Sequence, residues 1–64
     1  MKTFELKKLL KKNGIEFIAR GSNHDIYRSP ITNKTFTVPR HAKEIKTGTL
    51  NSILKQAGIK KGGN

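Results

Sequence analysis

The chain has 64 residues, no cysteine, and fourteen Lys and Arg against four Asp and Glu, for a formal charge of +10. This length limits it to one small domain with a thin core, and the missing thiols exclude a disulfide or thiolate–zinc staple. A domain this basic repels itself unless a polyanion screens it, which points to nucleic acid or an anionic membrane.

Met1-Lys2-Thr3-Phe4-Glu5-Leu6-Lys7-Lys8 has no apolar run of signal-peptide length, and nothing approaches a membrane span. The expectation is a soluble cytoplasmic protein with no membrane partner, and the lack of cysteine fits a reducing compartment. Residues 3–13 predict a helix, with Leu6, Leu9 and Leu10 on one face and Lys7, Lys8, Lys11 and Lys12 on the other. Phe4 falls outside the apolar stripe and is expected to fold back on the first turn as a staple. Asn13-Gly14-Ile15 reads as a helix stop, with Gly left-handed and Ile packing back.

Residues 15–20 and 24–29 read as two strands, and turn residues follow around Ser29-Pro30-Ile31-Thr32-Asn33. Residues 34–39 alternate, with Phe36 and Val38 on one face and Thr35 and Thr37 on the other, and Pro39 ends the strand or restricts it to an edge. Residues 49–57 predict a second helix from Leu50, Ile53, Leu54 and Ala57, with Thr47 or Thr49 as its cap and Gly58-Ile59 as its stop. The fold class is therefore α+β: helix, three antiparallel strands, helix, with both helices on one face of the sheet. Double-stranded-RNA-binding domains share this element order. Residues 1–59 are expected to form a single domain and 60–64 a flexible basic tail.

His24 is the candidate catalyst. It follows Gly21-Ser22-Asn23 at the entrance of the second strand, on a face shared with Ile26 and Arg28 and opposite Asp25 and Tyr27. An imidazole exchanges protons near neutral pH, and RNA cleavage without metal needs a base for the attacking 2′-OH. It also needs cations for the phosphoryl oxygens, which Arg20, Arg28 and Arg40 can supply. The residues alone leave open a surface histidine bonded to a neighbour. His41, in Pro39-Arg40-His41, is read as a loop residue facing RNA or solvent. Metal-ligand spacing and a phosphate-binding Gly-rich loop are both missing, so neither metal nor cofactor is expected.

The stripe Lys7, Lys8, Lys11 and Lys12 is by itself an ordinary solvated helix face. The scarcity of acid residues, together with a second basic run at Arg40, Lys43 and Lys46, favours phosphate contacts. Phe4, Phe17, Phe36 and Tyr27 are read mostly as core, with Tyr27 open to either face, so stacking is not expected as the main grip. A membrane-surface role fits poorly with an aliphatic face that has no Trp. A DNA-binding helix-turn-helix fails on the strands between the helices.

Gly21-Ser22-Asn23-His24-Asp25-Ile26-Tyr27-Arg28, Val38-Pro39-Arg40-His41, Gly48-Thr49-Leu50 and Ile53-Leu54-Lys55-Gln56-Ala57-Gly58-Ile59 together resemble the HicA family of bacterial toxins, in order and spacing. The resemblance implies an mRNA endoribonuclease held inactive by a HicB-type antitoxin, with the family's catalytic histidine at His24. Many members place that histidine directly after Gly-Ser, where this chain inserts Asn23. Many also carry a histidine before the hairpin proline, where this chain has Ser29. The expected mechanism therefore uses one histidine helped by cations, with Ser22, Asn23 and Arg28 positioning phosphate. The alternative is a non-catalytic RNA-binding module on the same fold.

Overall fold

The computed structural model describes residues 1–59, so the expected tail at 60–64 lies outside the described residues. The elements are α1 (Thr3–Lys12), β1 (Glu16–Arg20), β2 (His24–Ser29), β3 (Lys34–Pro39) and α2 (Thr47–Ala57). The strands form one antiparallel sheet in the order β1-β2-β3, with β2 in the centre. Both helices lie on the same face. Along β2, Asp25, Tyr27 and Ser29 point toward them and are buried, whereas His24 and Arg28 point away and are exposed.

The helix stops behave as the Gly-Ile pairs predict. Gly14 and Gly58 take φ of 76° and 77°, where a side chain is strained. The Ile15 N–H donates to the Leu10 carbonyl at 3.0 Å and the Ile59 N–H to the Leu54 carbonyl at 3.0 Å. Both isoleucines are buried beside Leu6, Leu10, Leu50, Ile53, Leu54 and Ala57. Helix α2 starts two residues before its expected beginning, at Thr47, and neither Thr47 nor Thr49 caps it. The first turn is exposed, so water satisfies the free N–H groups that a side-chain cap would otherwise take.

Two aromatic expectations are corrected. Phe4 lies in the first turn of α1 and is 57 % exposed, so it does not staple. That anchoring is done by Thr3, which is buried. Its Oγ1 donates to the Ala42 carbonyl and its N–H to the Lys43 carbonyl, so residues 42–45 strap the start of α1. Phe17 is likewise 54 % exposed rather than core. It shares a face with Tyr27 and meets that ring edge-on at 5.5 Å, but all of β1 is exposed because the helices stop short of this edge. A register break between Phe17 and Ala19 makes Ile18 an extra residue in the strand. Tyr27 faces the core, stacks on Phe36 at 6.1 Å, and has its pKa raised above 10.0, chiefly by burial.

Ser29 is fully buried, on the side of β2 opposite His24. Its hydroxyl donates to the Ala57 carbonyl at 2.6 Å and accepts the N–H of Ile31 at 3.1 Å. One oxygen thus joins the end of α2 to the β2–β3 turn. Ser29→Ala is expected to cost about 1–3 kcal/mol, because partners are left unsatisfied in a dry site. In a domain of this size that corresponds to a fall in Tm of about 5–20 °C. The exposed Asn51→Ala, measured alongside by thermal unfolding, should stay within about 0.5 kcal/mol of wild type.

Candidate active site

The β1–β2 connection needs a residue without a side chain at Gly21. Its N–H donates to the His24 carbonyl at 2.8 Å, and a Cβ built there would lie 2.6 Å from that oxygen. Any larger residue forces this tight turn apart. His24 then begins β2 on the open face of the sheet, flanked by Gly21 on the β1 side and paired with Pro39 on β3. Neither neighbour carries a polar side chain, and the imidazole is exposed.

Arg40 holds this loop from the β3 side. Its N–H donates to the Asn23 carbonyl at 2.9 Å, and its Nη1 donates to the Gly21 carbonyl at 2.7 Å. His41 adds a third tie: its Nε2 lies 3.0 Å from the Ser22 carbonyl oxygen, a hydrogen bond in tautomers protonated there. His41 therefore contacts the loop that precedes His24, although the two histidines stand far apart in sequence. Through the Arg40 N–H, the Asn23 carbonyl is paired with the residue after β3.

Beneath this loop lies Asp25, 4 % exposed, which the sequence did not single out. Lys7 Nζ of α1 lies 3.0 Å from Asp25 Oδ2, and Arg40 Nε lies 3.5 Å from Oδ1. Oδ1 has no hydrogen-bond partner, so the Arg40 charge is its main compensation. A run of alternating residues marks Asp25 as facing the opposite way from His24, and this is the one signal that could have found it. Its burial depends on α1, which sequence spacing does not position.

The remaining cations are dispersed. Lys7 leaves the solvated stripe for its ion pair, so Lys8, Lys11 and Lys12 form the exposed side of α1. That side points away from the sheet, and hence away from the face bearing His24. Arg28 shares the His24 face but sits four residues along, about 13 Å in a strand, and donates from Nη2 to the Asn33 side chain. Arg20 is exposed at the end of β1, on the helix side of the sheet opposite Asp25. Ser22 and Asn23 are exposed in the loop itself, while Lys43 and Lys46 are exposed in the segment leading to α2. Among the described residues, no three His, Asp or Glu side chains gather as a metal site would require, and no helix is long and apolar enough to cross a membrane.

Lys7→Ala is expected to lower stability by about 2–3 kcal/mol, somewhat below the cost of breaking a fully buried pair. The discount arises because the Lys7 side chain is 37 % exposed and Arg40 still faces the carboxylate. Lys8→Ala should change stability by no more than about 0.5 kcal/mol. Urea unfolding of the two variants checks this, and equal losses would contradict the distinct place of Lys7.

Comparison with known proteins agrees with this architecture. Residues 5–59 match the model of the HicA toxin of bacterial toxin–antitoxin systems. The chain is 36 % identical over 61 residues to the probable mRNA interferase HicA of Pseudomonas fluorescens (strain Pf0-1), covering 94 % of this chain and 98 % of that protein. No solved structure matches. The chain belongs to the HicA toxin family.

Proposed function

We infer that this member of the HicA toxin family is an endoribonuclease that cuts messenger RNA without a metal ion, using His24 as general base and acid. The observation that carries the reading is the exposed imidazole of His24 at the start of β2, on a turn held by Gly21 and Arg40. The name of the Pseudomonas fluorescens relative, a probable mRNA interferase, supports messenger RNA as substrate, and the cytoplasm, expected from the sequence, is the proposed place of action.

In the proposed reaction His24 takes the proton of a ribose 2′-OH. The 2′ oxygen bonds to the adjacent phosphorus as the bond to the 5′ oxygen breaks, and the proton returns to that leaving oxygen. The products are a 2′,3′-cyclic phosphate and a free 5′-OH. Ser22 and Asn23, exposed in the loop just before His24, would orient the phosphate. Charge on the phosphoryl oxygens is opposed by the protein's excess of cations. Arg40 acts mainly through the loop it holds, and Lys8, Lys11, Lys12, Arg20, Arg28, Lys43 and Lys46 supply phosphate contacts that bind without sequence choice. Asp25 is already held by Lys7 and Arg40, which supports a route that does not need a carboxylate-bound metal.

A HicB-type antitoxin is proposed to silence the site by covering His24. Carboxylates on that partner would complement the basic surface.

His24→Ala is expected to reduce cleavage by about a hundred- to ten-thousand-fold, while circular dichroism and RNA affinity stay near wild type. Wild-type cleavage should persist in excess chelator, and RNA with deoxyribose at the scissile position should resist. A folded His24→Ala variant that cuts at the wild-type rate would remove His24 from the mechanism. Wild type that binds RNA without cutting it would leave a binding module.

The antitoxin is expected to raise the Tm of this chain at saturation, because it binds only the folded form. It should also protect His24 from diethyl pyrocarbonate. An unchanged Tm, or full modification of His24 in the complex, would count against inhibition by direct cover.

A further inference from the structure

The exposed ring of Phe4 lines an open cavity of about 570 Å³ between the start of α1 and the segment 40–44. The cavity is within the range of small-ligand sites, about 300–1,000 Å³. Its walls carry Lys2, Lys7, Arg40 and Lys43, with Glu44 as the acidic group among its lining residues. Lys8 Nζ sits 5.5 Å from the Phe4 ring centroid and is not part of the lining. The ring is thus backed by a cation and also presented to the cavity. An aromatic in the first turn of a helix, more than half exposed and beside the Lys8 ammonium, does no packing work in this core.

The cavity also resolves a geometric difficulty. His24 opens on one side of the sheet, and the exposed lysines of α1 lie on the other. Arg40 touches both regions: it donates to the Gly21 carbonyl in the turn before His24 and it lines the cavity. Arg40 is thus common to the loop that carries His24 and to the cavity that holds Phe4 and Lys43.

We propose that this cavity is a nucleotide subsite of the RNA-binding surface, in which a base of the bound strand stacks on Phe4 and its phosphate is held by Lys2 and Lys43. The subsite rests on the endoribonuclease reading and adds a stacking platform to it. Lys7 and Arg40 are largely committed to Asp25, which leaves Lys2 and Lys43 as the freer cations of the lining. Base stacking tolerates any sequence, since every base has a π-face. The platform therefore adds affinity without imposing a preference. An acidic segment of the antitoxin is the competing occupant. It would use the same cations but has no need of an open aromatic ring.

The test uses a short, fully 2′-O-methylated single-stranded RNA, which lacks the attacking hydroxyl and stays intact during titration. Phe4→Leu is expected to weaken its binding by about 5- to 150-fold, the range for one lost base–aromatic stack. The chain has no Trp, so Phe4→Trp provides a single reporter. Its emission should be quenched by the oligonucleotide and should remain unquenched with an abasic oligomer of equal length and charge. Wild-type affinity in a folded Phe4→Leu variant would overturn the proposal, as would equal quenching by the abasic oligomer. A Phe4→Leu variant that keeps RNA affinity and loses antitoxin affinity would assign the cavity to the protein partner, and this too overturns it. Cleavage of unmodified RNA by wild type, followed in the same preparation, reports on the enzymatic reading alone, so the two failures are distinguishable.

Discussion

A buried carboxylate at the start of the central strand sets the geometry of this protein. Asp25 is almost fully enclosed, and an unpaired charge there would be costly. Lys7 reaches it from α1 and Arg40 from the segment after β3, so one residue ties three parts of the chain together. Removing either cation leaves a desolvated charge with half its compensation. The pair therefore contributes specificity of arrangement: α1 is held at one angle to β2, and Arg40 is held over the loop that carries His24.

The two sides of β2 divide the work of the molecule. Inward, Asp25 ties α1, Tyr27 fills the centre, and Ser29 ties the end of α2. Outward, His24 and Arg28 stay open to solvent. A chain this short cannot hold two helices on a sheet by apolar area alone with much margin. Polar tethers at both ends of β2 offset that shortage, and Thr3 and Thr32 add further ties to the Ala42 and Gln56 carbonyls. Ser29 faces the helices, so a side chain at that position is on the side of the strand opposite His24.

Edge strand β1 shows the cost of a small core. Two helices cover β2 and β3, and β1 lies beyond their reach with Phe17 and Ile18 exposed. The irregular register at Ile18 and the flanking Glu16 and Arg20 are features that discourage further strand pairing at an open edge.

Local pattern in the sequence determined the elements, the two Gly-Ile helix stops, the inward faces of α1, β3 and α2, and that His24 lies on the opposite face of β2 from Asp25 and Tyr27. Each of these follows from a period of two or 3.6 residues, or from the backbone freedom of glycine, and needs no distant partner. Which of the two faces of β2 is outward came from the docking of the helices. The family was also legible, because its motifs are contiguous runs. Tertiary structure alone decided the fates of Asp25, Lys7, Arg40, His41, Phe4 and Phe17. Whether a cation is solvated or paired, and whether a ring is core or exposed, depends on which element lies above it. The spacing of Lys7 is that of a solvated lysine, yet Asp25 lies within its reach once α1 is docked on the sheet. Phe4 has the composition of a core residue and is left outside because Thr3, one position earlier, takes the bonds that anchor the helix.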